Sequence, residues 1–339
     1  MTAASVLTRA LIAFVAMLSA DLGTARADDF YRGKTLSVVI GFTPGGGYDA
    51  FGRMIARHMP KHIPGTPTGV PQNMPGAGSM TAVRFLDASA PKDGTVLVTF
   101  NPTLITQSIV TPDAVKMKFT DLAWVGTATE EFRVCYAWHT SGIKSWDDLV
   151  AAKEFVIGAT AAGTANYVNG AVLRNIFGIR IRQILGYPGA AEQRLATERG
   201  ELDGGCSEWF TISEDWTQNG KIVPLVRWLA TKPAAFRFDA PYIGDLARSE
   251  DDRALLRMLT APSRLGNPFV ASRQVPAERL ALLRKAFDET VVDPEFLADS
   301  ERFHLPVEAT TGAEAETIAA EIYAGATPAL ITRAKDAMK

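Results

Sequence analysis

A short strand-forming run that empties directly into glycines constrains this chain more than any other feature. Leu36-Ser37-Val38-Val39-Ile40 is rich in residues that favour strands and is stopped by Gly41. A glycine loop follows, Thr43-Pro44-Gly45-Gly46-Gly47-Tyr48. Asp49 is then placed to cap a helix over 50–59 with apolar positions at Phe51, Met54 and Ile55. Strand, glycine loop and helix in that order open an α/β unit. The theme recurs. Thr95-Val96-Leu97-Val98-Thr99, Phe155-Val156-Ile157-Gly158 and Ile181–Leu185 read as strands, and helices are predicted over 80–88, 166–177 and 190–197. Pro276 starts a further helix with Leu280, Leu283 and Phe287 on one face. The Pro- and Gly-rich segment 62–78 reads mostly as loop. Two similar series, separated near residues 126–132, predict two α/β lobes with mostly parallel sheets.

The first 27 residues differ in kind. Arg9 precedes an apolar stretch over 10–20 that only Ser19 interrupts, and Ala25-Arg26-Ala27 sets small residues at the two positions a signal peptidase reads. That is the pattern of a secretory signal peptide cleaved after Ala27. The run is too short for an anchor, which needs about 20 apolar residues. The mature chain is expected to begin at Asp28 and to be soluble in the periplasm. A formal net charge of -2 argues against a nucleic-acid partner. Export also puts Cys135 and Cys206 where disulfides persist, while the absence of CxxC spacing leaves thiol redox chemistry and a zinc ribbon unsupported.

Gly45, Gly47 and Ala50 satisfy the dinucleotide pattern G-x-G-x-x-G/A, but no acidic residue lies over 65–72, where a ribose-binding carboxylate belongs. No cofactor is expected. The reading that remains is an anion cradle, since glycines let backbone N–H groups approach a ligand and a helix N-terminus favours negative charge. Three more small-residue turns are expected after strands, at Asn101-Pro102-Thr103, Thr160-Ala161-Ala162-Gly163-Thr164 and Tyr187-Pro188-Gly189-Ala190. In open α/β sheets such turns gather at one crevice. The candidate ligand-binding residues are therefore Thr43, Gly45, Gly46, Gly47, Tyr48 and Asp49, with Asn101, Thr160, Gly163, Thr164, Asn166, Tyr187, Pro188, Gly189 and Ala190.

Catalytic patterns are thin. No G-x-S-x-G elbow occurs. His58 and His62 are spaced i, i+4, but Pro60 lies between them and the HExxH glutamate is missing, so they read as surface histidines and no metal is expected. Glu130-Glu131 and Asp147-Asp148 read as solvated faces or helix starts, the second pair behind a capping Ser145. Tyr136, Trp138 and Trp209 read as core packing.

At this point the residues resemble the periplasmic solute-binding receptors of tripartite tricarboxylate transporters, the Bug or TctC-like proteins. The likeness rests on Phe42-Thr43-Pro44-Gly45-Gly46-Gly47-Tyr48-Asp49, then Asn73-Met74-Pro75-Gly76-Ala77-Gly78, then Pro91-Lys92-Asp93-Gly94-Thr95-Val96-Leu97, in that order. Val275-Pro276-Ala277-Glu278 and Asp293-Pro294-Glu295 extend it towards the end. The middle departs from the family: its tyrosine-lysine-glycine turn is Tyr187-Pro188-Gly189 here. The resemblance implies a two-lobed type II periplasmic-binding fold with the ligand cleft between lobes. It also implies a small organic carboxylate held by backbone N–H groups, and delivery to a transporter with a large and a small membrane subunit.

On that analogy residues 28–128 plus 228–339 form the first lobe and 129–227 the second, in a monomer that is not an enzyme. A sensor presenting its closed form to a signalling partner is the alternative, and a hydrolase or lyase on a similar fold is the third class. Cys135 and Cys206 both sit in strand-like runs of the second lobe. They either bond, which takes Cα atoms about 4.4–6.8 Å apart, or remain two buried thiols.

Overall fold

The computed structural model describes residues 30–339, so the expected signal peptide lies outside the described residues. The chain builds two sheets. The first has the order β11-β4-β10-β3-β1-β2, with β1 Thr35–Ile40, β2 Thr68–Asn73, β3 Val96–Thr99, β4 Leu122–Thr129, β10 Gly266–Ser272 and β11 Thr310–Thr311. The second has the order β7-β6-β8-β5-β9, with β5 Arg133–Trp138, β6 Phe155–Ala159, β7 Ile181–Leu185, β8 Gly204–Glu208 and β9 Ile222–Arg227.

Strand apolarity is explained by burial on both faces. Along β1, Leu36, Val38 and Ile40 pack into one core with Met54 and Ile55 of the helix Gly47–His58, while Val39 packs into another with Val83 and Leu86. A strand covered on both sides has no polar face to alternate with, which is why it reads as a continuous apolar run. The segment 62–78, expected as loop, contains the edge strand β2, paired in parallel with β1 so that Pro71 lies opposite Val38. An edge strand needs only one row of ladder bonds, so it tolerates a proline that a central strand would reject.

The chain crosses between sheets twice. It leaves the first sheet at Thr129 and enters the second at Arg133; after β9 it returns through the helix Glu250–Thr260 to β10. The two crossings lie side by side. β4 and β10 pair antiparallel with Gly266 opposite Thr129, and the Glu131 N–H donates to Ser263 O at 2.8 Å. A Cβ on Gly266 would meet Thr129 O at 2.6 Å, so the close approach of the crossings requires glycine there.

Leu255, Leu256 and Leu259 of the helix Glu250–Thr260, and Ala334 and Ala337 of the terminal helix Pro328–Ala337, share a core with Val110 of the helix Thr103–Val110 as well as with Phe155, Ile157 and Val172. These two helices lie where the lobes meet.

Candidate functional site

A cavity of about 80 Å³ lies where the two lobes face each other. The first lobe contributes Phe42, Thr43, Gly46, Gly47, Tyr48 and Asn101; the second contributes Thr160, Thr164, Asn166, Ala190 and Gln193. Three helices begin at this cavity. Gly47–His58 starts behind Gly46, Ala165–Asn175 behind Thr164 and Ala190–Glu198 behind Gly189, and none of these N-caps spends a side-chain hydrogen bond on its helix. The first turn of each helix therefore keeps backbone donors without an intrahelical partner, next to the positive end of the helix dipole.

The glycine loop is braced from behind by Asp49. This residue is not the cap: it lies in the first turn of its helix, 5% exposed, and the N-cap is Gly46. Its carboxylate accepts from the Gly45 N–H at 3.0 Å, Asn73 Nδ2 at 2.8 Å and Arg53 Nε at 2.9 Å. Burial pushes this carboxyl up, but the bonds from Arg53, Asn73 and Gly45 outweigh it and hold the pKa below the usual carboxylate range. Asn73 also donates to Phe42 O at 2.9 Å, so the segment 73–78 supports the loop that precedes it. Ser79 does the same for the Asn101 turn, accepting the Asn101 N–H at 2.9 Å.

Of the predicted set, Thr43, Gly46, Gly47, Tyr48, Asn101, Thr160, Thr164, Asn166 and Ala190 line the cavity. Gly45 and Asp49 do not, because they bond to each other. Gly163 packs against Gln107, and Tyr187 packs beside Val156 and Leu202. Gly189 sits where a Cβ would fall 2.3 Å from Thr43 Oγ1, so it sets how closely the lobes meet; neither it nor Pro188 lines the cavity. The lobes are also tied by Arg194 Nη2 donating to Gly45 O at 3.0 Å.

Three solved structures share the fold of this chain over nearly their whole length. The periplasmic binding protein BugD is 18% identical, with 91% of this chain and 98% of that one covered at a TM-score of 0.73. MatC from Rhodopseudomonas palustris with bound malate is 17% identical, with 90% and 99% covered at 0.70. Rpa4515 of R. palustris with adipate is 18% identical, with 86% and 94% covered at 0.66. This chain has the two-lobed, type II periplasmic binding-protein fold. No family model and no curated relative matches the sequence.

The side of the cavity next to the two crossings holds residues that sequence reasoning passed over. Glu131, read as a solvated face, is 1% exposed; Arg133 is 9% exposed and Asn267 4% exposed. Arg133 and Glu208 are opposed across β5 and β8. Tyr48 donates its hydroxyl to Glu131 Oε1, and Arg133 Nη1 stands 3.4 Å from Glu131 Oε2. Burial pushes the Tyr48 hydroxyl well above its ordinary pKa, helped by the charge of Glu131. Burial first, and then the charge of Glu131, push Glu208 up to about 8. Arg133 and the nearby N–H groups of Phe210 and Phe132 pull Glu208 back only in part, and neither of its oxygens makes a hydrogen bond of normal geometry. The available sequence signal was Glu131 and Arg133 at i, i+2, a charged pair on one face of an extended segment.

Cys206, next to Ser207 and Glu208, is bonded to Cys135. The two are direct partners across β5 and β8 with Cα atoms 3.9 Å apart, closer than the usual window for a disulfide. The histidines read as surface groups are not both so: His58 is 7% exposed, its Nε2 2.9 Å from Asp299 Oδ2. His58, Asp293 and Glu295 each offer an atom within 4.8 Å of the others, but the two carboxylates hold Lys61. Its Nζ donates to Asp293 at 2.9 Å and to Glu295 at 2.7 Å.

Proposed function

We propose that this chain is a Bug-type periplasmic solute receptor that captures a small organic carboxylate between its lobes and delivers it to a membrane transporter. One observation carries the reading: three helix N-termini without side-chain caps begin at a single cavity, two from one lobe and one from the other. Helix starts of this kind favour anions, because unpaired N–H groups and the dipole act together. The malate and adipate in two structures of the same fold are small carboxylates, which supports the class of ligand. Loops from both lobes line the cavity, so a ligand engages both and favours their closure.

Gly46→Val tests the cradle. Gly46 has φ -104° and ψ 176°, ordinary extended backbone, so the variant folds. A Cβ there would stand 3.9 Å from the Ala190 Cβ, and the branched carbons of valine fill the remaining gap between loop and helix. Carboxylate affinity should fall at least about tenfold, or about 1.4 kcal/mol. A thermal-shift screen of the mature protein against small carboxylates identifies the ligand, and isothermal titration compares variant with wild type. Unchanged affinity in folded Gly46→Val places the site elsewhere. Co-purification with a transporter subunit, against co-purification with a signalling protein, tests delivery.

A further inference from the structure

Resting on the carboxylate reading, we infer that the side of the cavity next to the crossings is a second subsite, for an ammonium group, and that the ligand is a zwitterionic amino acid. This end of the cavity holds unspent hydrogen-bonding capacity. Both oxygens of Glu208 and Oδ1 of Asn267 are buried without a donor in hydrogen-bond geometry, against one donor, Arg133 Nε, left without an acceptor, and all belong to residues that line the cavity. Buried acceptors left without donors cost free energy of about 1–3 kcal/mol each, more where the group is charged. An ammonium brings three N–H donors and no acceptor. A plain carboxylate brings only acceptors, and here it would face Glu131 and Glu208 with Arg133 alone to offset them.

Charge leads to the same ligand. Tyr48, Glu131, Arg133 and Glu208 are the titratable and charged groups around this end of the cavity. With both carboxylates ionised they sum to one net negative charge in a buried place. Two events relieve it: Glu208 takes a proton, or a cation arrives. A ligand with an ammonium at this end and a carboxylate against the helix N-termini satisfies both ends of the cavity at once. Glu208 is then an ammonium-binding residue, and Asn267 a second acceptor beside it.

The test is isothermal titration of wild type and Glu208→Gln with matched pairs: glycine against acetate, L-alanine against propionate, L-aspartate against succinate, L-glutamate against glutarate. Wild type should bind at least one amino acid at least tenfold tighter than its matched carboxylate. Glu208→Gln should lose at least tenfold more affinity for that amino acid than for the carboxylate. A proton must leave Glu208 before it can pair with the ammonium. With Glu208 near 8, raising the pH from 6.5 to 8.5 should therefore strengthen amino-acid binding about 20-fold in wild type and leave the variant flat. The wild-type profile needs no variant to fold. A matched carboxylate that binds as tightly as its amino acid, or no amino acid binding at millimolar concentration, overturns the inference. The matched amines, methylamine and ethylamine, separate the two readings. If they bind as tightly as glycine and alanine while Gly46→Val has no effect, the carboxylate cradle fails and the ammonium subsite stands.

Discussion

Removing the Cys135–Cys206 bond should cost this protein more than any single surface change, and the magnitude follows from chain length. The bond closes a loop with a sequence separation of 71. Loop-closure entropy for such a cross-link is about 4 kcal/mol at 25 °C, as a constraint on the unfolded chain. Both sulfurs lie in residues that are essentially fully buried, so Cys135→Ala with Cys206→Ala adds a loss of packing to the loss of constraint. Trp228 Nε1 also loses the Cys135 Sγ acceptor at 3.2 Å. We expect the double variant to unfold with at least about 3 kcal/mol less stability than wild type, measured by urea denaturation under non-reducing conditions. The effect should reach the site as well. The bond staples β5 to β8, and these strands present Arg133 and Glu208 to the cavity. Ligand affinity of the folded double variant should therefore fall alongside stability. Two free thiols per denatured, unreduced chain would refute the reasoning, and so would a double variant within about 1 kcal/mol of wild type.

Three further outcomes are expected. Asp49→Ala should destabilise by about 2 kcal/mol, because it removes a charged acceptor and leaves the Gly45 N–H and the Asn73 amide without it; urea denaturation measures this, and a change below about 0.5 kcal/mol would count against the brace. Since the folded carboxyl of Asp49 titrates below its unfolded value of about 3.9, its contribution is present above that pH and lost as pH falls through the lower folded value. The acid limb of the stability curve should accordingly be shallower in Asp49→Ala. Protein recovered from the periplasm should begin at Asp28 by intact mass, and a mass retaining residues 1–27 would refute cleavage after Ala27.

What the sequence determined by itself is local. The run Leu36–Ile40, the loop 43–48 and the apolar positions of the next helix lie within one stretch of chain, and neighbouring residues decide each of them. The same holds for the Ser145 cap, whose side chain accepts the Asp148 N–H at 3.1 Å, and for the turns at 160–164 and 187–190. Strands of an open α/β sheet end at a common edge, which is why those turns are expected to converge. Segment 62–78 misled because proline counts against strands in general, and only the pairing of β2 at an edge removes the objection.

The tertiary structure alone decided which donors remain available and what faces them. Asp49 looked like a cap because it precedes an apolar-periodic segment. Folding brings Asn73 and Arg53 to it, and the helix has already begun at Gly47. Glu131, Arg133, Glu208 and Asn267 come from two separate crossings and from the end of β8, far apart along the chain, so no spacing rule joins them. Their meaning depends on burial: exposed, Glu131 and Glu208 would be two solvated carboxylates, and enclosed together they repel, with Glu208 short of donors. Sequence pattern specifies which face of an element is apolar. It does not specify which polar groups the facing lobes take out of water.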